Sequence, residues 1–169
     1  MGRRLALIAL FLLTTGFDFA TKEWARSTLE PGRPVPVIEG VWDWQLASNK
    51  GAAFSSLEGK TALLAVIAFA LLIGLGVAAA RTRPEQRLER IAYAVIAGGG
   101  LGNLLDRLRD GAVTDFVAWR WNEHRWPIFN VADVALVVGV LLLFVAAVSS
   151  KHAPPPRLAG PANGLQARG

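Results

Sequence analysis

The sequence predicts an all-α membrane protein: four transmembrane helices with a small β-rich element in an extracytoplasmic loop. Hydrophobic residues make up 53% of the 169 residues, and the mean hydropathy is +0.37, which is high for a soluble protein. The apolar residues fall into four long runs, and most charged residues lie between the runs. Because a helix needs about 20 mostly apolar residues to cross a membrane, each run marks one span.

The four spans are predicted at about residues 5–24, 61–80, 89–107 and 128–150. The second run carries no charge, whereas the last carries one, Asp133. The first run has a basic start and a short apolar core, so it also resembles a secretory signal peptide. Because no A-x-A cleavage site follows it and three spans come later, we expect it to be retained as the first helix.

The spans define one membrane domain over residues 1–150. The remaining residues, 151–169, are rich in Pro, Gly and Ala, which is typical of a disordered tail. The first outer loop, about residues 25–59, has proline punctuation followed by short stretches rich in Val, Ile and Trp. Such stretches predict a small β element lying on the membrane surface.

Basic residues set the expected orientation. One short loop carries a dense group of arginines, and the positive-inside rule places that loop in the cytoplasm. With four spans, both termini and the tail then lie on the same cytoplasmic side. The arginines of this loop are Arg81, Arg83, Arg87 and Arg90.

Composition excludes several kinds of chemistry. The chain has no cysteine, so it has no disulfide, no thiolate zinc site, no cysteine nucleophile and no lipid attached to cysteine. Only His124 and His152 offer imidazole, so we expect no metal, and no other cofactor is indicated. The net charge of +5 would fit nucleic-acid binding. Long apolar runs separate these charges, however, so we do not expect a nucleic-acid partner.

Polar residues near the spans are predicted to lie at one level of the membrane. If four helices alternate in direction, all of these residues fall at the outer side. Ionisable residues at a membrane usually face the protein interior and serve a function. The residues are Asp18, Lys22, Asn103, Asp106, Arg107, Asp115, Asn130 and Asp133.

Two of these carboxylates, Asp115 and Asp133, have no Lys or Arg within four residues in the chain. Together they suggest a catalytic dyad, because two close carboxylates cannot both ionise easily and share a proton. One would take a proton from water while the other donates one to a scissile carbonyl. For the pair Asp18–Lys22, which has helical i,i+4 spacing, and for Asp106 and Arg107, structural ion pairing is favoured.

Other functions remain open from the residues alone. A Ser–Lys site could combine Ser48, Ser55 or Ser56 with Lys50 or Lys60, all in the outer loop. A small proton-coupled membrane transporter subunit is the main alternative, since membrane carboxylates often relay protons. A relay needs charges through the whole membrane, whereas these lie near one face. A non-enzymatic scaffold with structural ion pairs is the third possibility.

Five motifs occur in order along the membrane part of the chain, and together they resemble the lipoprotein signal peptidase family, also called signal peptidase II or prolipoprotein signal peptidase. Each motif alone is weakly specific, but five in the family's order are strongly specific. The motifs are DFATK at 18–22, NKGAAF at 49–54, GGGLGNLLDR at 98–107, VTDF at 113–116 and FNVAD at 129–133.

The resemblance implies an aspartic endopeptidase of the bacterial inner membrane that cuts signal peptides from diacylglyceryl-modified prolipoproteins just before the lipidated cysteine. Its expected partners are these substrates and membrane lipids, and we expect a monomer with its active site near the outer face. Asp115 and Asp133 would be the catalytic pair. The residues that would support the site or contact substrate are Asp18, Lys22, Asn49, Gly51, Asn103, Asp106, Arg107 and Asn130.

Overall fold

The computed structural model describes residues 2–51, 60–121 and 123–151. The predicted tail after residue 151 lies outside the described residues, and so do Ser55, Ser56 and residues 52–54 of the NKGAAF motif.

Four long helices form the body of the molecule. They are α1 (Gly2–Thr28), α2 (Thr61–Arg81), α3 (Arg87–Asp110) and α4 (Val131–Lys151). Each covers one of the predicted spans, with ends that differ by a few residues. The largest difference is at α1, which extends beyond both ends of the predicted 5–24.

Three of the helices in the described part of the chain, α1, α2 and α4, are long and apolar enough to cross a membrane. They expose large apolar side chains on their outer surfaces, among them Leu13, Leu71 and Phe144, which are 69%, 63% and 67% exposed. Exposed apolar surface of this extent is typical of contact with lipid. The composition of these helices therefore supports a membrane protein.

Helix α3 differs from the other three because it occupies the centre of the bundle. It packs against α1, α2 and α4, and it contains buried glycines as well as the buried polar residues Asn103 and Asp106. Charged residues occupy both of its ends. Much of the α3 surface thus packs against other helices. Its amino-acid composition alone is not apolar enough to identify it as a membrane-spanning helix.

Small residues allow the helices to approach α3 closely. A Cβ atom added to Gly98 would lie 2.7 Å from Cβ of Thr14 in α1, and one added to Gly99 would lie 2.7 Å from the carbonyl oxygen of Ala132 in α4. Contact of this kind is typical of helix packing in membranes. The pair Gly98 and Gly102 therefore packs against α1, as expected of a small-xxx-small pattern, since Gly102 lies against Asp18.

An antiparallel sheet of four strands covers one end of the bundle in the order β1-β2-β3-β4. The strands are β1 (Val35–Ile38), β2 (Trp42–Asn49), β3 (Val113–Trp121) and β4 (His124–Arg125). The sequence predicted β structure only in the first outer loop. Half of the sheet instead comes from the segment between α3 and α4, whose run of Val, Thr, Phe and Trp is a strand signal.

Aromatic packing fixes the sheet to the end of α1. Trp24 of α1 meets Trp44 of β2 edge to face, with ring centroids 5.1 Å apart, and Trp44 lies 5.9 Å from Phe116 of β3. Such pairs add to the free energy gained by burying apolar area. Before β3, α3 ends at Asp110. Gly111 follows in a left-handed conformation (φ 70°), so the chain turns directly into the strand that carries Asp115.

Candidate active site

Polar side chains from α1, α3, β3 and the start of α4 converge where the helices meet the sheet. Buried polar and charged groups are costly unless they are paired or hydrogen bonded, so their partners decide what the cluster can do. The six buried members from the predicted set are Asp18, Lys22, Asn103, Asp106, Asp115 and Asn130.

Lys22 is the central cation of this cluster and is only 1% exposed. Its Nζ lies 2.8 Å from Oδ2 of Asp18 and 3.2 Å from Oδ2 of Asp106, and it donates to Oδ1 of Asn103 at 2.8 Å. Lys22 therefore joins α1 to α3 through one ion pair within α1, one ion pair to α3 and one hydrogen bond to α3.

Asp18 also connects α1 to α4. Its Oδ1 accepts a hydrogen bond of 2.8 Å from the backbone N–H of Ala132, in the first turn of α4. The first amides of a helix have no partner within the helix, and a negative charge beside them is favourable. Asp18 thus helps to fix the position at which α4 begins.

Asn130 and Asp133 cap α4 by bonding to each other. The N–H of Asp133 donates to Oδ1 of Asn130, and the N–H of Asn130 donates to Oδ2 of Asp133. This reciprocal arrangement is a capping box, with Asp133 in the position usually taken by Glu or Gln. The cap holds one oxygen of Asp133 and leaves Oδ1 to face α3.

The amides of Asn103 and Asn130 link the two predicted catalytic carboxylates. Asn103 donates to Oδ1 of Asp133 at 2.9 Å, and Asn130 donates to Oδ1 of Asp115 at 2.6 Å. Asn130 also donates to the side-chain oxygen of Asn103 at 3.2 Å. Asp115 and Asp133 therefore contact the same asparagine, although they come from different elements.

Asp115 lies on β3 and is 2% exposed. Its second oxygen accepts a hydrogen bond of 3.0 Å from the amide of Asn49 on β2. Burial raises the pKa of Asp115, and the negative charge of Asp133 adds to this effect; despite the hydrogen bonds from Asn49 and Asn130, the pKa reaches about 7. A carboxyl group with this pKa can hold a proton near neutral pH.

Asp106 supports the strand next to Asp115. Its Oδ2 accepts a hydrogen bond of 2.9 Å from the backbone N–H of Thr114, and its Oδ1 lies 2.6 Å from the guanidinium of Arg26. Arg26 also donates to the hydroxyl of Thr114 at 2.9 Å. Asp106 is thus paired with Lys22 and Arg26 rather than with its neighbour Arg107.

Arg26 and Thr114 were not among the residues expected at the site. A signal was present for Arg26, because it continues the helical face of Asp18 and Lys22 at the same spacing of four residues. Thr114 gave no signal beyond its place beside Asp115.

Arg107 reaches the segment that follows β2. It donates to the carbonyl oxygen of Gly51 at 3.1 Å and to that of Asn103 at 3.3 Å. Gly51 in turn donates its N–H to the side-chain oxygen of Asn49 at 3.0 Å. Asn49, Gly51 and Arg107 therefore join this segment to α3 beside Asp115.

A cavity of about 410 Å³ opens between α2, α3 and α4 and ends at the polar cluster. Asn103, Arg107 and Asp133 form its polar end. Its remaining wall is apolar and includes Leu71 and Ile96. An apolar ligand in this cavity could place a polar group against Asp133.

Comparisons with known proteins show the family of the chain. The family described as signal peptidase (SPase) II matches residues 10–149. The chain is 40% identical over 152 residues to a lipoprotein signal peptidase of Xylella fastidiosa, covering 87% of this chain and 91% of the relative. It is also 40% identical to a lipoprotein signal peptidase of Xanthomonas euvesicatoria, with 86% and 88% of the two chains covered.

Two solved structures share the fold. Both are described as bacterial membrane enzymes studied by the in meso method, at 2.3 and 1.9 Å resolution. The first has a TM-score of 0.83 and 27% identity, and the match covers 91% of this chain and 94% of that one. The second has a TM-score of 0.77 and 29% identity, with 85% and 92% covered. From the family match and these relatives, the chain belongs to the signal peptidase II family.

Proposed function

We propose that this chain is a membrane aspartic endopeptidase that removes signal peptides from diacylglyceryl-modified prolipoproteins, cleaving before the lipidated cysteine. Membership of the signal peptidase II family supports the removal of signal peptides from prolipoproteins. The observation that carries the aspartic mechanism is that Asn130 contacts both Asp115 and Asp133, one through its amide and the other through the cap of α4. The transporter alternative has no support in the comparisons.

The chemistry follows from the shared proton. The raised pKa of Asp115 favours it as the carboxyl group that donates a proton, which leaves the role of base to Asp133. Asp133 takes a proton from a water molecule whose oxygen attacks the scissile carbonyl carbon, and Asp115 donates its proton to the carbonyl oxygen. Asp133 then gives this proton to the amide nitrogen as the C–N bond breaks, and Asp115 recovers a proton from a hydroxyl of the tetrahedral intermediate, whose carbon becomes the new carboxyl group. The two groups titrate as one unit throughout.

The apolar cavity beside Asp133 gives the substrate a place to bind. A signal peptide is a membrane segment, and the acyl chains of the lipidated cysteine are also apolar. Entry between α2 and α4 would leave the acyl chains in lipid while the scissile bond reaches the polar end of the cavity. Asn49 and Gly51, held by Arg107, would cover the bond from the outer side.

The proposed setting is the bacterial inner membrane, with all four helices crossing it. In this arrangement α3 also crosses the membrane, packed against α1, α2 and α4 while exposing apolar side chains such as Leu105 to lipid, and both termini are cytoplasmic. The active site then lies near the outer face, at the depth where a signal peptide ends. The chain would act as a monomer surrounded by membrane lipids.

Cleavage of a diacylated prolipoprotein by the purified protein tests this function directly. Asp115→Asn and Asp133→Asn should each reduce turnover to background, while both variants remain folded and bind substrate. Asp43→Asn is the matched control. Asp43 is a buried carboxylate of the same sheet, but it lies outside the site, and its oxygen is 3.2 Å from a guanidinium nitrogen of Arg120. Normal turnover by either site variant would exclude the aspartic pair, and cleavage of an unlipidated precursor at the same rate would exclude the proposed substrate.

A further inference from the structure

A second cavity lies at the end of the helices opposite the candidate active site. It has a volume of about 340 Å³ and is bounded by the start of α1, the α2–α3 turn and the start of α3. Arg3, Arg87 and Arg90 line it, while its apolar wall includes Leu7 and Leu10. From Arg3 to Asp18, α1 rises about 22 Å at 1.5 Å per residue, so this cavity is separate from the site.

The three guanidinium groups are free to bind a ligand. Within residues 2–51, 60–121 and 123–151, none of them has a carboxylate within 4.0 Å, whereas Arg26, Arg109 and Arg120 are all ion paired. Glu89, in the same turn of α3, instead accepts a hydrogen bond from Gln86. Three unpaired cations from two helices therefore converge on one cavity.

We propose that this cavity binds an anionic phospholipid, with the phosphate on Arg3, Arg87 and Arg90 and an acyl chain along the apolar wall. Guanidinium groups match phosphate oxygens in geometry and charge, and basic pockets between membrane helices are suited to lipid head groups. The apolar wall favours a lipid over a free phosphate ion. The basic start of a signal peptide is disfavoured as an occupant, because like charges would meet.

The test compares two triple variants that remove the same charge from the same end of the molecule. R3Q/R87Q/R90Q removes the cations that line the cavity, and R4Q/R81Q/R83Q removes neighbours that do not line it. The probe is phosphatidylglycerol titrated against phosphatidylcholine, with the bound lipid counted by native mass spectrometry. We expect the affinity of the cavity variant for phosphatidylglycerol to fall about tenfold or more, and that of the other variant to stay within about twofold.

The remaining outcomes also decide the question. Equal losses in both triple variants would mean a diffuse attraction to the membrane surface and would overturn the site. Displacement of phosphatidylglycerol by millimolar inorganic phosphate would indicate that the cavity binds a free anion and would overturn the proposal that its ligand is a lipid. If the triple cavity variant fails to fold, Leu10→Trp fills the cavity without removing charge, and unchanged lipid retention in that variant would equally reject the proposal. Prolipoprotein turnover in detergent reports whether each variant is folded.

Discussion

Asn130 and Asp133 exchange two hydrogen bonds at the start of α4: the N–H of Asp133 donates to Asn130 at 3.0 Å, and the N–H of Asn130 donates to Asp133 at 3.2 Å. Asn130 uses its remaining amide hydrogens on Asp115 and Asn103. One side chain thus caps a helix and orients a carboxylate on a different element. These two tasks can be separated by substitution.

Asn130→Ser keeps a good capping oxygen but removes the amide that reaches Asp115. We expect turnover to fall about 10- to 100-fold, with a loss of about 1–3 kcal/mol in the free energy of unfolding because buried oxygens of Asp115 and Asn103 lose their donor. Asn130→Ala loses both functions, so its free energy of unfolding should fall by a further amount of about 1–2 kcal/mol. Steady-state cleavage and thermal unfolding measure the two effects. Full turnover by the serine variant would show that the amide does not orient Asp115.

The pH dependence of turnover should report the proton held by Asp115. Its pKa is raised from 3.8 to about 7, so the singly protonated pair persists to neutral pH and is lost above it. We therefore expect kcat/KM to fall as the pH rises through about 7. In Asp133→Asn, the pKa of Asp115 should drop because a neighbouring negative charge is gone, which infrared spectroscopy of the protonated carboxyl can follow. An alkaline limb several units higher would contradict the assignment.

The same raised pKa makes a prediction about stability. The unfolded chain loses its Asp115 proton from about pH 4, whereas the folded chain keeps it to about 7. The favourable contribution is therefore complete below pH 4 and is lost as the pH rises to 7. In Asp115→Asn this loss should be absent, so thermal midpoints of variant and wild type should converge at acidic pH and separate toward neutrality, with the variant relatively more stable. Parallel curves would count against a folded-state proton on Asp115.

Removal of Lys22 should destabilise the fold strongly. Lys22→Met leaves Asp18 and Asp106 buried without their shared cation, and breaking a buried ion pair in this way costs about 3–5 kcal/mol. Arg33→Met is the control, because Arg33 pairs with Glu30 at the surface, where both side chains are largely exposed, and exposed pairs contribute little. Thermal unfolding in detergent compares them. Equal midpoints for the two variants would mean that the buried cluster is not structural.

Gly102→Ala tests the close contact between α3 and Asp18. An added methyl group would meet the Asp18 carboxylate, which is held by Lys22 and the first turn of α4. We expect a loss of about 1–3 kcal/mol, typical of overpacking, together with reduced turnover. Gly74→Ala is the matched control, because nothing lies within 4 Å of a Cβ there and alanine favours the helix. If Gly102→Ala were as stable as Gly74→Ala, α1 and α3 could move apart without loss of free energy, which would contradict a tight contact between Gly102 and Asp18.

The sequence predicted much of this fold because its signals are local. Apolar runs located all four helices, and the i,i+4 spacing of Asp18 and Lys22 predicted their ion pair. Strand β3 was missed because its partner β2 lies far away in the chain, with Asp115 opposite Ala47; the two-residue β4 pairs locally with Arg120 and Trp121 and is too short to give a periodic signal. Likewise, no spacing rule could show that Asp18 reaches the N–H of Ala132, since this contact depends on how α1 packs against α4.

Arg26 illustrates the same limit at the site. It lies on the face of α1 shared by Asp18 and Lys22, but the partners that connect it to the site, Asp106 and Thr114, come from α3 and β3. Its guanidinium bonds to the carboxylate through one nitrogen and to the threonine hydroxyl through another. Arg26 therefore holds the residue immediately before Asp115.

Arg26→Lys keeps the positive charge but has no fixed fork of donors, so it should not hold Asp106 and Thr114 together in the same geometry. We expect kcat to fall about tenfold through displacement of Asp115, with a smaller change in KM, because a shift of about 1 Å in a catalytic group is costly to the rate. Arg120→Lys is the control, since Arg120 is partly exposed and pairs with Asp43 of the sheet rather than with any partner of Arg26. If Arg26 had only a structural role, the variant would be less stable but the pH dependence of its kcat/KM would not change. The decisive measurement is therefore the alkaline limb of kcat/KM. A shifted limb in the Arg26 variant supports positioning of Asp115, whereas an unchanged limb and unchanged kcat reject it.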